Sequence, residues 1–87
     1  MTRYHFNILD EAQKARLLRQ KGVQVGERAE TFHTVQLFQL EGFYVEMYHH
    51  NHFNVITKID TFSGTARLQP YLQQISLEGL DPIFKTF

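Results

Sequence analysis

Apolar and polar residues follow two different periods along the chain. Over residues 9–21, "LDEAQKARLLRQK", the apolar positions recur every three or four residues, which predicts an amphipathic helix. Asp10 is placed to cap the first turn, Gln13 can complete a capping box, and Gly22 marks the end of the helix. We expect its buried side to consist of Leu9, Ala12, Ala15 and Leu18.

Between residues 23 and 62 apolar positions alternate with polar ones, and this period of two predicts β-strands. Gly26 interrupts the first strand and favours a bulge or an edge position. Glu41 and Gly42 leave room only for a tight turn between the second and third strands. The predicted strands are "VQVGERAE" (23–30), "FHTVQLFQL" (32–40), "FYVEMYHH" (43–50) and "NVITKIDTF" (54–62).

The short turn determines how the second and third strands pair. It places Leu40 opposite Phe43 and Phe38 opposite Val45. One side of this hairpin is therefore apolar, and we expect it to form the core.

The following hairpin is predicted in a register that keeps its apolar residues on that same side. A loop of three residues (51–53) or of five (50–54) gives the same register. The longer loop is favoured because Asn54 tolerates the left-handed conformation that such loops need. The predicted pairs are Met47 with Thr57, Val45 with Ile59 and Glu46 with Lys58.

The pattern returns to a helical period near the carboxyl end. Pro70 suits the first position of a short helix, "PYLQQI", whose apolar side includes Leu68, Tyr71, Leu72 and Ile75. The segment "SLEGLDPIFKTF" is predicted to be a tail packed against the body. The expected fold is a single α+β domain over residues 1–87, with an N-terminal helix, a four-stranded antiparallel meander, a short C-terminal helix and that tail.

The second face of the predicted sheet is too apolar for a solvated surface and too polar for a core. Such a face is typical of an interaction surface, and the simplest partner is a second copy related by a twofold axis, or else another protein. The alternative is that the C-terminal tail covers this face within one chain. The candidate interface residues are Val35, Leu37, Tyr44, Glu46, Tyr48, Ile56 and Lys58.

Composition and charge exclude several classes of function. The chain has no cysteine, which rules out a disulfide scaffold, a thiolate zinc site and a cysteine nucleophile. Its formal net charge is zero, so we expect no nucleic-acid partner. The charged amino terminus does not resemble a signal peptide, and no apolar stretch is long enough to span a membrane. These features favour a cytoplasmic location, and we expect no membrane partner.

The histidine-rich stretch "YHHNHF" (48–53) raises the question of a metal site. The first hairpin places His33 opposite His50 on the second face, and His52 in the loop could reach both. These three histidines are weak candidates for metal ligands, because no acidic residue completes the set. The alternatives are a hairpin tip without chemistry and a histidine pair whose titration alters an interface. We expect no cofactor.

The motifs of enzymes are missing from the sequence. It has no glycine-rich phosphate loop, no nucleophile elbow and no close pair of carboxylates, so catalysis is not expected. Glu46 lies among aromatic residues and could act as a base or bind a partner's cation, although a pair with Lys58 explains it more simply. A second possible function is the binding of a small ligand between Tyr44, Tyr48 and the helix ends.

The segments "VQLFQLEGFYVEMYHH", "VITKIDTF" and "LQPYLQQISLEGL", together with the capped helix that ends in "KG", resemble a family of short uncharacterised bacterial proteins. The resemblance covers nearly the whole chain and rests mostly on structural motifs. It implies the single-domain fold described above. It implies no activity and no catalytic residues, because the family has no assigned function.

Overall fold

A computed structural model describes residues 1–72 of the chain. The α+β fold with an antiparallel sheet is confirmed. Ile75, the end of the predicted C-terminal helix and the predicted tail lie outside the described residues. Within residues 1–72, no helix is long and apolar enough to cross a membrane. The elements are α1 (Arg3–Asn7), α2 (Glu11–Lys21), β1 (Val23–Ala29), β2 (His33–Leu40), β3 (Phe43–His50), β4 (Ile56–Phe62) and a 3-10 helix (Ala66–Tyr71).

The helix α2 begins with the predicted capping box. The Asp10 carboxylate accepts a hydrogen bond from the backbone N–H of Gln13 at 2.8 Å, and the Gln13 side chain accepts one from the backbone N–H of Asp10 at 3.0 Å. Ala15 and Leu18 are buried as expected, whereas Ala12 is exposed. The helix therefore presents a narrower apolar side than its sequence predicts.

The short helix α1 was not predicted from the sequence. Its apolar residues are too few to show a helical period, but the hydroxyl of Thr2 caps it by accepting a hydrogen bond from the N–H of His5. Its one buried side chain, Phe6, lies against Phe43 with the ring centroids 5.7 Å apart. The helix thus extends the core that α2 forms with the sheet.

The strands form one antiparallel sheet in the order β1-β2-β3-β4. The β2–β3 pairing is the predicted one, with Leu40 opposite Phe43 and Phe38 opposite Val45. The register between β1 and β2 shifts at Gly26, which confirms the predicted bulge.

The predicted register between β3 and β4 is wrong by two residues. Val45 lies opposite Thr61 instead of Ile59, and Glu46 lies opposite Asp60 instead of Lys58. A shift of two leaves these side chains on the same face, so the apolar alternation could not distinguish the two registers. Asn54 adopts the predicted left-handed conformation, with φ 54°, in a loop that covers residues 51–55.

The two faces of the sheet carry separate apolar clusters. On the first face, α1 and α2 cover a core of Phe6, Ala15, Leu18, Phe38, Leu40, Phe43, Val45 and Met47. On the second face, the 3-10 helix covers a smaller core of Leu37, Phe62, Leu68 and Tyr71.

The 3-10 helix differs from the helix predicted at this position. Pro70 lies inside it rather than at its first position. Leu68 and Tyr71 are three residues apart, and side chains at that spacing lie above one another in a 3-10 helix. Both side chains therefore point to the sheet, where both are buried, while Leu72 is exposed.

Candidate functional site

Among residues 1–72, one carboxylate is buried, that of Glu46 on the second face, which is only 3% exposed. Its Oε1 accepts a hydrogen bond of 2.6 Å from Nη2 of Arg67. Its Oε2 accepts one of 2.6 Å from the hydroxyl of Tyr71 and one of 3.2 Å from Nη2 of Arg28. We refer to Arg28, Glu46, Arg67 and Tyr71 as the Glu46 cluster.

The Glu46 cluster compensates its buried charge with donors from two other elements. Arg28 comes from β1, whereas Arg67 and Tyr71 come from the 3-10 helix. Arg28 also pairs with Glu30, and Arg67 pairs with Asp60 at 2.9 Å. A buried carboxylate is costly to desolvate unless it is paired and hydrogen-bonded, and here both conditions are met.

The cluster shifts the pKa values of its members. Burial raises the pKa of Tyr71 above its usual range, and the hydrogen bond to Glu46 raises it further. Burial lowers the pKa of Arg28, but hydrogen bonds to Glu30 and Tyr71 outweigh this effect and leave the pKa raised. The hydrogen bond to Asp60 raises the pKa of Arg67. These shifts favour a cluster with a neutral tyrosine and charged guanidinium groups.

This arrangement suits a structural role for Glu46. Each carboxylate oxygen already accepts a hydrogen bond from its own chain, so a substrate would first have to displace Arg67, Arg28 or Tyr71. The predicted pair with Lys58 does not form, because the corrected register places Lys58 opposite Tyr48. The Nζ atom of Lys58 lies 5.1 Å from the centroid of the Tyr48 ring.

The second face is only partly open. The structure buries Val35, Leu37 and Glu46, which were predicted to be available to a partner. Within the chain, the 3-10 helix packs on Leu37 through Leu68 and Tyr71, and Tyr71 also binds Glu46. The predicted covering by the C-terminal tail lies outside the described residues. Tyr44 is half-buried and stacks on Phe62 with the ring centroids 5.4 Å apart.

Ile56 turns to the opposite face from the one predicted. The register shifts between the pairs Tyr48–Lys58 and His49–Ile56, so Thr57 is an extra residue on β4. The extra residue reverses the orientation of Ile56, which packs against the core beneath α2. Of the predicted interface residues, Tyr48 and Lys58 keep accessible side chains on the open end of the second face.

The open end of this face carries a continuous row of aromatic rings. The Tyr48 ring lies 6.2 Å from that of His33, which lies 5.2 Å from that of His50. The His50 ring lies 4.8 Å from the Phe53 ring. The Phe32 ring is parallel to the His50 ring and lies 6.3 Å from it. His52 extends the row, 4.9 Å from Phe53. We call Phe32, His33, Tyr48, His50, His52 and Phe53 the aromatic stripe.

The loop that ends the stripe is held by hydrogen bonds of its own backbone. The N–H of His50 donates to the carbonyl of Val55, and the N–H of Asn54 donates to the carbonyl of His50, both at 2.8 Å. The N–H of Asn51 donates to the carbonyl of Phe32 at 2.9 Å. The loop therefore presents Phe53, which is 68% exposed, on a hydrogen-bonded support. Phe32, which is 65% exposed, lies beside it in the connection between β1 and β2.

The predicted metal ligands do not converge on one point. Within residues 1–72, no group of three or more histidine or acidic side chains could hold a metal ion. His33 and His50 are adjacent, as expected, but Nδ1 of His50 accepts hydrogen bonds from the backbone N–H groups of His52 and Phe53, each at 3.2 Å. The lone pair of Nδ1 is thus occupied, and Nε2 carries the proton of the neutral ring.

Several residues of these sites were missed in the sequence. Arg28, Arg67 and Tyr71 lie 18, 21 and 25 positions from Glu46, so no local spacing connects them to it. Phe32 and Phe53 could have been predicted to be exposed, since each is an aromatic residue at a strand end beside a loop. The hollow predicted between Tyr44 and Tyr48 stays a prediction, and each of these tyrosines has its own ring partner.

Comparison with models of protein families, with curated proteins and with solved structures gave no match. The resemblance to short bacterial proteins therefore stays a prediction.

Proposed function

We propose that this protein is a small, cytoplasmic, non-enzymatic interaction module that binds a second copy of itself through the aromatic stripe and Lys58. The observation that carries this proposal is the exposure of Phe53 on the hydrogen-bonded hairpin loop and of Phe32 beside that loop. Burial of one such side chain is worth about 1.5 to 3 kcal/mol. A partner that covers both rings would gain this free energy without having to order the loop.

The surroundings of the stripe favour a protein partner over a nucleic acid. Arg28, Glu30 and Lys58 place charges of both signs beside the rings, and Arg28 is already paired with Glu30 and Glu46. Binding to phosphates needs an excess of unpaired positive charge, whereas aromatic residues with a mixed polar rim are common in protein interfaces. The lack of cysteine in the sequence supports the cytoplasmic assignment.

A second copy fits the order of charges at the end of β1 and just after it. Arg28 and Glu30 are two positions apart on the same side and have opposite charges. A twofold axis that crosses the strands between them would place Arg28 opposite Glu30 of the partner subunit. The same axis would place Tyr48 opposite His50 of the partner subunit. The surface is thus complementary to itself in both charge and ring position.

The size of the stripe limits the strength of this association. Four strands spaced about 4.8 Å apart span about 20 Å. A patch of about this width in both directions has an area on the order of 400 Å² per copy. A standard stable interface buries about 800 Å² per partner. We therefore expect a reversible dimer with a Kd in the range of about 10 µM to 1 mM.

Sedimentation equilibrium over a range of protein concentrations tests the proposal. The unmodified chain should shift from monomer to dimer as the concentration rises. Phe53→Ser should weaken the dimer about tenfold, because it removes a ring worth more than 1.4 kcal/mol. Ile8→Ser is the matched control: Ile8 is 67% exposed and lies next to Asn7, which contacts Thr61 at the far end of β4.

Two outcomes would contradict the proposal. A chain that stays monomeric at about 1 mM, the upper limit set by the interface size, would exclude self-association. Equal weakening by Ile8→Ser and Phe53→Ser would show that the dimer uses another surface. Circular dichroism of each variant establishes that the fold is retained before the comparison is made.

A further inference from the structure

The imidazole of His50 links the third strand to the hairpin loop. Its Nδ1 accepts hydrogen bonds from the backbone N–H groups of His52 and Phe53, each at 3.2 Å. A backbone N–H can only donate, so this nitrogen must be unprotonated in the observed loop conformation. The ring is therefore an acceptor that holds the loop in place, and it can do this only in its neutral form with the proton on Nε2.

The loop that His50 holds also positions part of the aromatic stripe. The Phe53 ring packs on one side of the imidazole at 4.8 Å, and the Phe32 ring is parallel to it at 6.3 Å. The N–H of Phe53 is one of the two groups bound by Nδ1. Any change that breaks this hydrogen bond acts directly on the more exposed of the two phenylalanines in the stripe.

The titratable groups around His50 come from every neighbouring element. His33 of β2 lies edge-on at 5.2 Å, and Tyr48 of β3 lies beyond it. Glu30 follows β1, and its N–H donates to the carbonyl of His33 at 2.8 Å. The other groups are Arg28 of β1, Lys58 of β4 and His52 of the loop. Within residues 1–72, no carboxylate accepts a hydrogen bond from the His50 ring.

We propose that protonation of His50 releases the hairpin loop and withdraws Phe53 from the aromatic stripe. The second proton of the imidazole must bind Nδ1, which converts the acceptor into a donor that faces two other donors. Both hydrogen bonds to the loop are then lost. The consequence for self-association rests on the proposed function: the dimer should form at neutral pH and weaken as the histidine becomes charged.

Nuclear magnetic resonance tests the release of the loop in the monomer. At about pH 8, above the range in which imidazoles usually titrate, the ring nitrogen shifts of His50 should show the tautomer with the proton on Nε2. The backbone amide resonances of His52 and Phe53 should then move together with the titration of His50. An Nδ1–H tautomer, or amide resonances that do not follow His50, would overturn the proposal.

Variants separate His50 from its neighbours. His50→Phe, made together with His52→Gln so that no imidazole remains in the loop, keeps a ring beside Phe32 and Phe53 but has neither an acceptor nor a titratable proton. Its loop amides should therefore not respond to mild acid. His33→Gln and His52→Gln leave Nδ1 of His50 in place, and both should keep the response of the unmodified chain. If the response disappeared in His33→Gln and persisted in His50→Phe, the titrating group would be His33 and the proposal would be wrong.

Sedimentation equilibrium at two pH values tests the regulation of self-association. The Kd of the unmodified chain should rise about tenfold between about pH 7.5 and 5.5, or about 1.4 kcal/mol, which is within the net worth of the two hydrogen bonds to the loop. The Kd of His50→Phe should not change over this range. If no dimer forms at any pH, the proposed function fails while the amide titration still decides the loop release. If the loop amides respond and the Kd does not, the regulatory part is overturned.

Discussion

The hydroxyl of Tyr71 donates a hydrogen bond of 2.6 Å to Oε2 of Glu46, and both side chains are buried. This bond connects the 3-10 helix to the third strand across the second face of the sheet. Tyr71 also packs with Leu68 and Leu37, so the same residue supplies apolar contact and a polar partner. The Glu46 cluster is therefore the main polar attachment between the 3-10 helix and the sheet.

Because the pKa of Tyr71 is raised, the fold should lose stability at alkaline pH. A group whose pKa is higher in the folded state stabilises the protein fully below its unfolded pKa, which is about 10 for tyrosine. The contribution is lost as the pH rises from there through the folded pKa, because the unfolded chain releases its proton first. Stability measured by urea unfolding should fall above about pH 10, and Tyr71→Phe should remove most of this fall.

An absorbance titration at alkaline pH gives an independent measurement. Phenolate absorption should show one of the four tyrosines ionising later than the others. Tyr71→Phe should abolish the late phase, whereas Tyr4→Phe should leave it unchanged, because the Tyr4 side chain is exposed. A late phase that persists in Tyr71→Phe would mean that burial and the Glu46 bond do not control this ionisation.

Gly26 is expected to be the one position in β1 where an added methyl group destabilises the attachment of the 3-10 helix. A Cβ at this position would lie 3.0 Å from Cδ1 of Tyr71, which is tighter than ordinary contact. Gly→Ala usually stabilises by about 0.4 to 1 kcal/mol when the backbone permits it. We expect Gly26→Ala instead to lower the free energy of unfolding by about 1 kcal/mol, through displacement of the Tyr71 ring.

Gly42→Ala provides the comparison, because no atom lies within 4 Å of a Cβ at that position. Chemical denaturation should show no loss of stability in this variant. A stabilised Gly26→Ala would indicate that the Tyr71 ring moves aside without cost.

The part of the fold that sequence predicts best is the hairpin of β2 and β3. The Glu41–Gly42 turn has only two residues, so the pairing from Leu40–Phe43 to His33–His50 follows without further choice. The helix α2 could be predicted equally well, since its capping residues Asp10 and Gln13 are three positions apart. Local signals of this kind need no knowledge of tertiary packing.

The register of β4 could not be predicted in the same way. Its loop is longer, and registers two residues apart bury the same faces. Interactions between distant residues distinguish them: Tyr44 stacks on Phe62, and Arg67 binds both Glu46 and Asp60. The Glu46 cluster depends on the same long-range contacts, so the sequence suggested Glu46 but none of its partners.

The aromatic stripe was predictable in part. The cross-strand pair of His33 and His50 follows from the turn, as does the position of Tyr48 on the same face. The contribution of Phe53 depends on the loop conformation, which the bond to Nδ1 of His50 helps to define. Sequence could therefore place the rings on one face but could not show that they form a continuous row.

Substitution of Leu37 distinguishes a core role from an interface role. Its side chain is fully buried among Phe62, Leu68 and Tyr71. Leu37→Ala should therefore lower the free energy of unfolding by about 2 to 5 kcal/mol, as expected for a buried leucine. Leu72→Ala, at an exposed leucine near the end of the 3-10 helix, should change it by less than about 0.5 kcal/mol. If Leu37→Ala instead kept the stability and abolished the dimer, the second face would be an interface and the 3-10 helix would not cover it in solution. Urea denaturation and sedimentation of both variants decide between these outcomes.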